Sequence, residues 1–352
     1  MHNYLDNIGG AEMLTLTLAE QLNADLYTTN VDQKKIRSMG FSIIPQSIGK
    51  IPINAPQRQQ LALFFFSRFK KQYDYYIISG DWAVSVAVHN TPTLWYVHSP
   101  IREIWDLYDY TRKELVSPWK RPLFDMWVQY NRMLNKRYVS KVTKLACNSN
   151  VTKERIRRYL HRDATIIHPP VSTSKFWYKS SRKYWLSVNR LITHKRVDLQ
   201  LEAFRNLPKE KLIIVGSYEK SHHFEEYARY IKQTLPKNVT LLHWVTDKKL
   251  KKLYAECKGF ITTSHNEDFG MSAVEAMASG KPVIAPNEGG YKESVLDGIT
   301  GKLITDINTE KLVSAIYDIG IRPERFRNAC IKQAQKFDTK VFIRKIKQEL
   351  SR

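Results

Sequence analysis

The chain has 352 residues, 43% of them hydrophobic, which is material for two domains that each bury a core. No apolar run approaches the roughly eighteen residues needed to cross a bilayer, and no basic segment followed by an apolar one marks a secretory leader, so a cytoplasmic protein is expected. Cys147, Cys257 and Cys330 lie too far apart for a disulfide framework or short-spaced zinc site, and a formal net charge of +22 favours anionic partners such as nucleotides, phospholipid headgroups or nucleic acid.

In chain order, a helix is expected from Gly10 to about Asn23, where Ala11, Leu14, Leu18 and Leu22 form a core-facing stripe. Strand-like runs follow at Ala24 to Thr28, Tyr75 to Ser79 and Thr93 to Val97. Arg112 to Lys144 carries nine Lys or Arg against two acids, and within it Leu123, Trp127, Tyr130, Leu134 and Tyr138 recur at helical spacing, first of all a core stripe. The double proline in His168-Pro169-Pro170-Val171 interrupts any helix and suggests a connector. A second series then alternates strands at Tyr184 to Val188, Lys211 to Val215, Val239 to Leu242, Gly259 to Thr262 and Pro282 to Ala285 with helices at Leu199 to Asn206, His223 to Leu235, Asp247 to Cys257 and Ser272 to Ser279. A last helix is expected from about Thr339 to Leu350. This pattern predicts an α/β chain of two doubly wound domains, 1–170 and 171–335, with 336–352 as a C-terminal helix packing back on the first. In such folds ligands sit beyond the carboxyl ends of the strands, so a cleft between two facing domains is expected.

The most informative stretch is His265 to Gly290. A strand ends in a polar loop, Gly270 allows close backbone approach, and a helix begins at once, exposing N–H groups and a positive dipole end suited to a phosphate or sugar hydroxyl. Glu267 precedes that helix and Glu275 lies in it. An ionised carboxylate only accepts hydrogen bonds, so each could hold the vicinal diol of a ribose or hexose. Both could equally face solvent.

With its surroundings the stretch resembles the signature of glycosyltransferase family 4, retaining enzymes of GT-B fold. The likeness includes Glu267-Asp268-Phe269-Gly270-Met271, Glu275 through Ala285, Gly289-Gly290 and Asp297-Gly298-Ile299-Thr300-Gly301. Asn189-Arg190-Leu191 with Lys195 is similar to the family's diphosphate-gripping Arg and Lys, and Gly9-Gly10-Ala11-Glu12 to its glycine-rich loop. His98-Ser99-Pro100 with Arg102, Trp105 and Asp106 resembles a motif of the mannosyltransferase-like branch. The resemblance implies that Glu275 holds the nucleotide ribose and Glu267 the hexose, that the backbone of Phe269, Gly270 and Met271 faces hexose or phosphates, and that Gly9, Gly10, Arg190 and Lys195 bind the donor. His98 would lie near the reacting sugar, catalytic together with Arg190, Lys195 and Glu267. Gly9 and Gly10 are equally consistent with only a helix start, and His98 with a structural histidine at a strand end.

The implied activity is transfer of a hexose, mannose by preference, from GDP-mannose or a UDP-sugar to a lipid-linked, polysaccharide or other glycan acceptor. No Asp-x-Asp element for a divalent ion is present, so neither metal nor cofactor is expected. The basic segment suggests peripheral attachment to an anionic membrane. A nucleic-acid binder would suit the charge but lacks a reading motif, and a sugar-nucleotide epimerase or phosphorylase would share the fold. Two departures from the family stand out: the chain begins inside the loop that normally follows the first strand, so that strand is expected to be missing, and Arg196 stands where many relatives have glycine.

Overall fold

The structure, a computed structural model, describes all residues except 53–54, 182, 218–221, 244 and 352. It divides into two compact units, Met1–His168 with Ile343–Arg352, and Pro169–Phe342.

In the first unit, helix Gly10–Leu22 buries Leu14, Leu16, Leu18 and Ala19. Strands β1 (Tyr27–Thr28) and β2 (Gln46–Ser47) pair in parallel. A second parallel sheet has the order β3 (Tyr76–Ile78), β4 (Thr93–Val97), β5 (Lys144–Cys147), β6 (Thr165–Ile166). Every residue of β4 is buried, as expected of a parallel strand covered on both faces. Ahead of the first helix no regular strand is assigned, but Met1–Asn3 runs between β1 and β3 and bonds to both. His2 N–H donates to Tyr27 O (3.0 Å), Thr29 N–H to Asn3 O (3.2 Å), the Met1 ammonium to Ile77 O (2.8 Å) and Ser79 N–H to Met1 O (2.8 Å). Burial pushes that ammonium down to about 5. Beside Met1 lies a cavity of about 550 Å³ whose walls include Leu18, Leu22, Tyr27, Tyr75 and Ile77.

The basic segment departs from the expected stripe. Helix Arg121–Val139 turns Trp127, Leu134 and Tyr138 toward the core, whereas Leu123 and Tyr130 are exposed. The difference is geometric: the buried line runs through Val128, Asn131, Asn135 and Val139, and at about 100° per residue Trp127, Leu134 and Tyr138 lie on its flank while Leu123 and Tyr130 fall farther round.

The second unit contains β7 (Trp185–Arg190), β8 (Leu212–Ser217), β9 (Val239–Leu242), β10 (Phe260–Ile261), β11 (Val283–Pro286) and β12 (Gly301–Ile304). All pair in parallel in the order β9-β8-β7-β10-β11-β12. This is the doubly wound order in which the chain reverses direction across the sheet between β7 and β10, leaving a crevice at their carboxyl ends. Trp185, Phe204, Tyr254, Phe260 and Met277 fill the core. Helices Val197–Arg205, His222–Gln233, Asp247–Glu256 and Met271–Ala278 follow the expected segments within two residues. Helix Thr309–Gly320 was not expected, although Asn308 caps it by accepting Lys311 N–H at 2.9 Å. Helix Thr339–Ser351 closes the chain. Among the described residues no helix is long and apolar enough to cross a membrane, and the three cysteines are buried thiols.

Candidate active site

The residues singled out in the second unit flank the β7/β10 reversal. Arg190 is the last residue of β7 and is exposed; Lys195 closes the short helical turn Thr193–Lys195 just beyond it. Arg196 then adopts the left-handed conformation (φ 47°), the backbone state that glycine would accept without strain. It is held there by Nε donating to Thr263 O (2.6 Å) and by an ion pair with Glu288, so here side-chain bonds offset the backbone cost.

After β10 the loop returns toward these residues. Lys195 Nζ forms an ion pair with Glu267 Oε2, which also accepts from Ser264 Oγ at 2.5 Å. Burial alone would raise the Glu267 carboxyl, but the Lys195 ammonium, the hydrogen bonds from Lys195 and Ser264, and nearby His194 hold it down to about 2. Its acceptor character is therefore fixed. Gly290 N–H donates to Glu267 O at 2.8 Å, and the loops are too close for a side chain: a Cβ on Gly289 would lie 2.5 Å from Glu267 O. Gly270 precedes helix Met271–Ala278 with φ +84°, and a Cβ there would lie 2.3 Å from the Tyr291 ring. Tyr291 is buried, its hydroxyl 2.7 Å from Thr262 Oγ1. Phe269 is buried and Met271 half-buried.

Glu275, the fifth residue of that helix, makes a different set of contacts. Tyr254 OH donates to its Oε2 at 2.8 Å. Burial pushes the carboxyl up to about 7, with Tyr254 and Lys251 opposing and Asp247 assisting. The two glutamates are thus in opposite electrostatic states, one fixed as an anion and one poised near neutrality.

In the first unit, Gly9 is the N-cap of helix Gly10–Leu22, and its N–H donates to Glu12 Oε2 at 2.8 Å; Gly10 is the exposed first residue of that helix. His98 follows β4. Burial, with a smaller contribution from His2, pushes its imidazole down to about 4, so it is neutral. A chain of polar contacts joins these two motifs: His98 Nε2 to Ser79 Oγ (2.8 Å), Ser79 Oγ to Thr15 Oγ1 (2.7 Å), Thr15 Oγ1 to His2 Nδ1 (3.2 Å) and His2 Nε2 to Glu12 Oε1 (3.3 Å). Thr15 gives its one hydroxyl proton to Ala11 O (2.8 Å), so it accepts from Ser79, and Ser79 accepts from His98. This accounting assigns His98 the Nε2–H tautomer, with a lone pair on Nδ1. Asn148 Nδ2 donates to His98 O at 2.7 Å and fixes the backbone. Arg102 and Asp106 form an ion pair at 2.8 Å, with Arg155 at 3.5 Å from the same carboxylate, and Trp105 stacks on Tyr159.

Sequence reasoning missed Ser264 and Tyr254 beside the glutamates and His2, Thr15 and Ser79 behind His98. Thr15 carried a signal, a hydroxyl on the apolar face of a leucine-rich helix; Tyr254, on a lysine-rich helix, carried none. Among the described residues no group of three His, Cys, Asp or Glu is arranged to hold a metal ion.

Comparison with known proteins bears on this arrangement. Residues 174–337 match the family described as Glycosyl transferases group 1. An uncharacterized glycosyltransferase of Methanocaldococcus jannaschii is 29% identical over 217 residues, covering 59% of this chain and 60% of that protein. The human alpha-1,3/1,6-mannosyltransferase ALG2 is 30% identical over 179 residues, 44% of this chain and 43% of its own, so the matched region spans only part of these two relatives. The Dictyostelium discoideum ALG2 is 26% identical over 361 residues, covering 84% and 83%. Among solved structures, Anabaena Alr3699/HepE in complex with UDP and glucose superposes with a TM-score of 0.77 at 19% identity, covering 99% of this chain and 98% of that one. Sucrose-phosphate synthase of Thermosynechococcus elongatus gives 0.74 at 18% identity, covering 99% and 94%. Residues 174–337 therefore match the glycosyl transferases group 1 family, and the chain shares the GT-B fold of these solved structures.

Proposed function

We propose that the chain is a retaining hexosyltransferase that moves mannose from GDP-mannose to a lipid-linked, polysaccharide or other glycan acceptor, without a metal ion. The observation that carries this reading is that Arg190 ends β7 and Lys195 follows it, while Glu267, Gly270 and Glu275 follow β10, the two strands between which the chain order reverses. The crevice there takes a nucleotide. Mannose is favoured because relatives matching at 26% to 30% identity are mannosyltransferases.

In this reading the Gly270 backbone and the first turn of helix Met271–Ala278 meet the diphosphate with their positive end. Lys195 gives one N–H to Glu267 and keeps others for phosphate, and Arg190 adds a two-pronged donor. Both stabilise charge that grows on the diphosphate as the glycosidic bond breaks, so they act on the transition state more than on the bound donor. Glu267 accepts from the hexose hydroxyls and Glu275, when ionised, from the ribose diol.

A glycosidase-like route would use one carboxyl as acid and another as nucleophile. Glu267, held down to about 2 and tied to Lys195, is a poor proton donor at neutral pH. Front-face transfer requires neither. The bond from the anomeric carbon to the diphosphate oxygen breaks, the acceptor oxygen bonds that carbon from the same face, and the acceptor's proton passes to the departing diphosphate. His98, neutral, would hold a sugar hydroxyl through Nδ1.

The test is incubation of the purified chain with GDP-mannose, UDP-glucose or UDP-N-acetylglucosamine in EDTA, measuring nucleotide release against a Glu275→Ala control. Release from GDP-mannose that the variant loses is the expected result. Release only from a UDP-sugar would change the donor, and release abolished by EDTA would overturn metal independence.

A further inference from the structure

The second unit holds a cavity of about 510 Å³ that the proposed transfer does not use. Its lining includes Ala278, the last residue of helix Met271–Ala278, which lies about 12 Å along the axis from Gly270, so the two ends of one helix border different places. Helix Arg327–Gln335 lines the cavity with Arg327, Ile331 and Gln335, spaced by four and therefore on one face. Phe176, Trp177 and Tyr178 add three consecutive aromatic rings.

The polar groups of this lining are nearly all donors. Among the described residues, Trp177 Nε1, the Arg327 guanidinium, the Gln335 amide and Lys340 Nζ make no hydrogen bond, and of these only Gln335 also offers an acceptor. The one carboxylate, Asp338, is already used: Oδ2 accepts from Thr173 Oγ1 (2.5 Å) and N–H (3.3 Å), and Oδ1 from Lys340 N–H (2.9 Å). Further positive charge stands behind the aromatic rings. Arg327 Cζ is 4.1 Å and Lys281 Nζ 4.3 Å from the Tyr178 ring centre, and the buried Lys281 donates to Lys179 O at 2.8 Å. The negative end of helix Met271–Ala278 is blunted, because Ser279, Lys281 and Gly280 N–H groups bond to Glu275 O, Ala276 O and Met277 O.

We propose that this cavity is a second binding site, for an anionic saccharide: a pyranose ring that carries a carboxylate or a phosphate. Trp177 is 41% exposed, so its indole is open to the flat C–H face of a sugar ring. Arg327 pairs with the acid group through two parallel N–H donors, and Lys340 adds a point charge. The Gln335 amide, both donor and acceptor, meets a hydroxyl. A neutral sugar would leave the two cations unused, and a bare anion would leave the indole unused, so the combination selects a ring with an acid on it. The inference concerns binding within the second unit and does not rest on the transfer reaction.

The experiment is calorimetric titration of the full chain, at about 0.15 M salt, with glucose 6-phosphate, a tetrasaccharide alternating glucuronic acid and N-acetylglucosamine, cellotetraose and inorganic phosphate. At least one acidic sugar should bind about tenfold or more tighter than cellotetraose and inorganic phosphate, and which one does so names the acid group. Trp177→Ala and Arg327→Gln should each weaken that binding about tenfold, with thermal midpoint and nucleotide release unchanged because both side chains are exposed and lie outside the proposed donor site. Arg190→Ala should leave it unaltered. No binding of either acidic sugar, binding that Trp177→Ala or Arg327→Gln keeps in full, or equal binding of cellotetraose or inorganic phosphate would overturn the proposal. Loss of binding in Arg190→Ala would overturn it too, by placing the sugar at the donor site.

Discussion

Lys195 and Glu267, seventy-two residues apart, are joined by an ion pair that links the turn after β7 to the loop after β10. Because the pair holds the Glu267 carboxyl down to about 2, it contributes stability that is present above the ordinary carboxylate range and is lost as pH falls toward 2. Glu267→Gln should therefore flatten the acid limb of the unfolding curve between about pH 5 and 2. It should also lower turnover by roughly a hundredfold, read by nucleotide release. An unchanged acid limb would separate the pair from stability.

Glu275 should behave in the opposite sense. With its carboxyl pushed up to about 7, the stability it contributes is full below the ordinary carboxylate range and is lost as pH rises through about 7. With the proposed ribose contact made by the ionised form, affinity should rise about tenfold in all between pH 6 and 8. Calorimetric titration of the nucleoside diphosphate checks this, and Glu275→Gln should give a flat profile. A wild-type profile already flat over this range would contradict the assignment.

Gly270 and Gly298 offer a matched comparison. Both have positive φ, +84° and +73°, but a Cβ on Gly270 would strike Tyr291 at 2.3 Å while one on Gly298 meets open space. Gly298→Ala should cost only the left-handed backbone strain, about 1–2 kcal/mol, and keep turnover. Gly270→Ala should cost about 3 kcal/mol or more and abolish nucleotide release, since the helix start must move. Denaturant midpoints and release rates measured on both variants decide it.

The chain from His98 to Glu12 predicts a tautomer. Nitrogen NMR should find His98 protonated on Nε2 and neutral down to about pH 5, because burial holds it near 4. Ser79→Ala removes the acceptor for that N–H and should lower turnover about tenfold while leaving donor affinity unchanged. A His98 signal on Nδ1 would break the proton accounting through Thr15.

The strands were legible where apolar runs are bounded by turn residues. Thr93–Val97 and Val239–Leu242 match expectation to the residue; the first reads as a run buried on both faces, and the second, at the sheet edge, as a short β-branched and leucine run. Lys144–Cys147 and Gly301–Ile304 went unnoticed: each begins with a residue, Lys144 or Gly301, that does not read as strand. The helix through Trp127 was located by its spacing, yet the spacing fitted two faces, and packing alone selected the one that is buried.

The sequence by itself determined the local facts: which segments fold, where Gly270 opens a helix, and that Arg190, Lys195, Glu267 and Glu275 stand in the order and spacing of glycosyltransferase-like motifs. These depend on neighbours within a few residues, so periodicity, turn chemistry and motif order carry them. Only the tertiary structure decided what each of these groups is. The Lys195 ammonium makes Glu267 a fixed anion, burial against Tyr254 makes Glu275 nearly neutral, and Thr15 and Ser79 orient His98. Ionisation and tautomer follow from desolvation and from partners distant in sequence, which one-dimensional spacing does not encode.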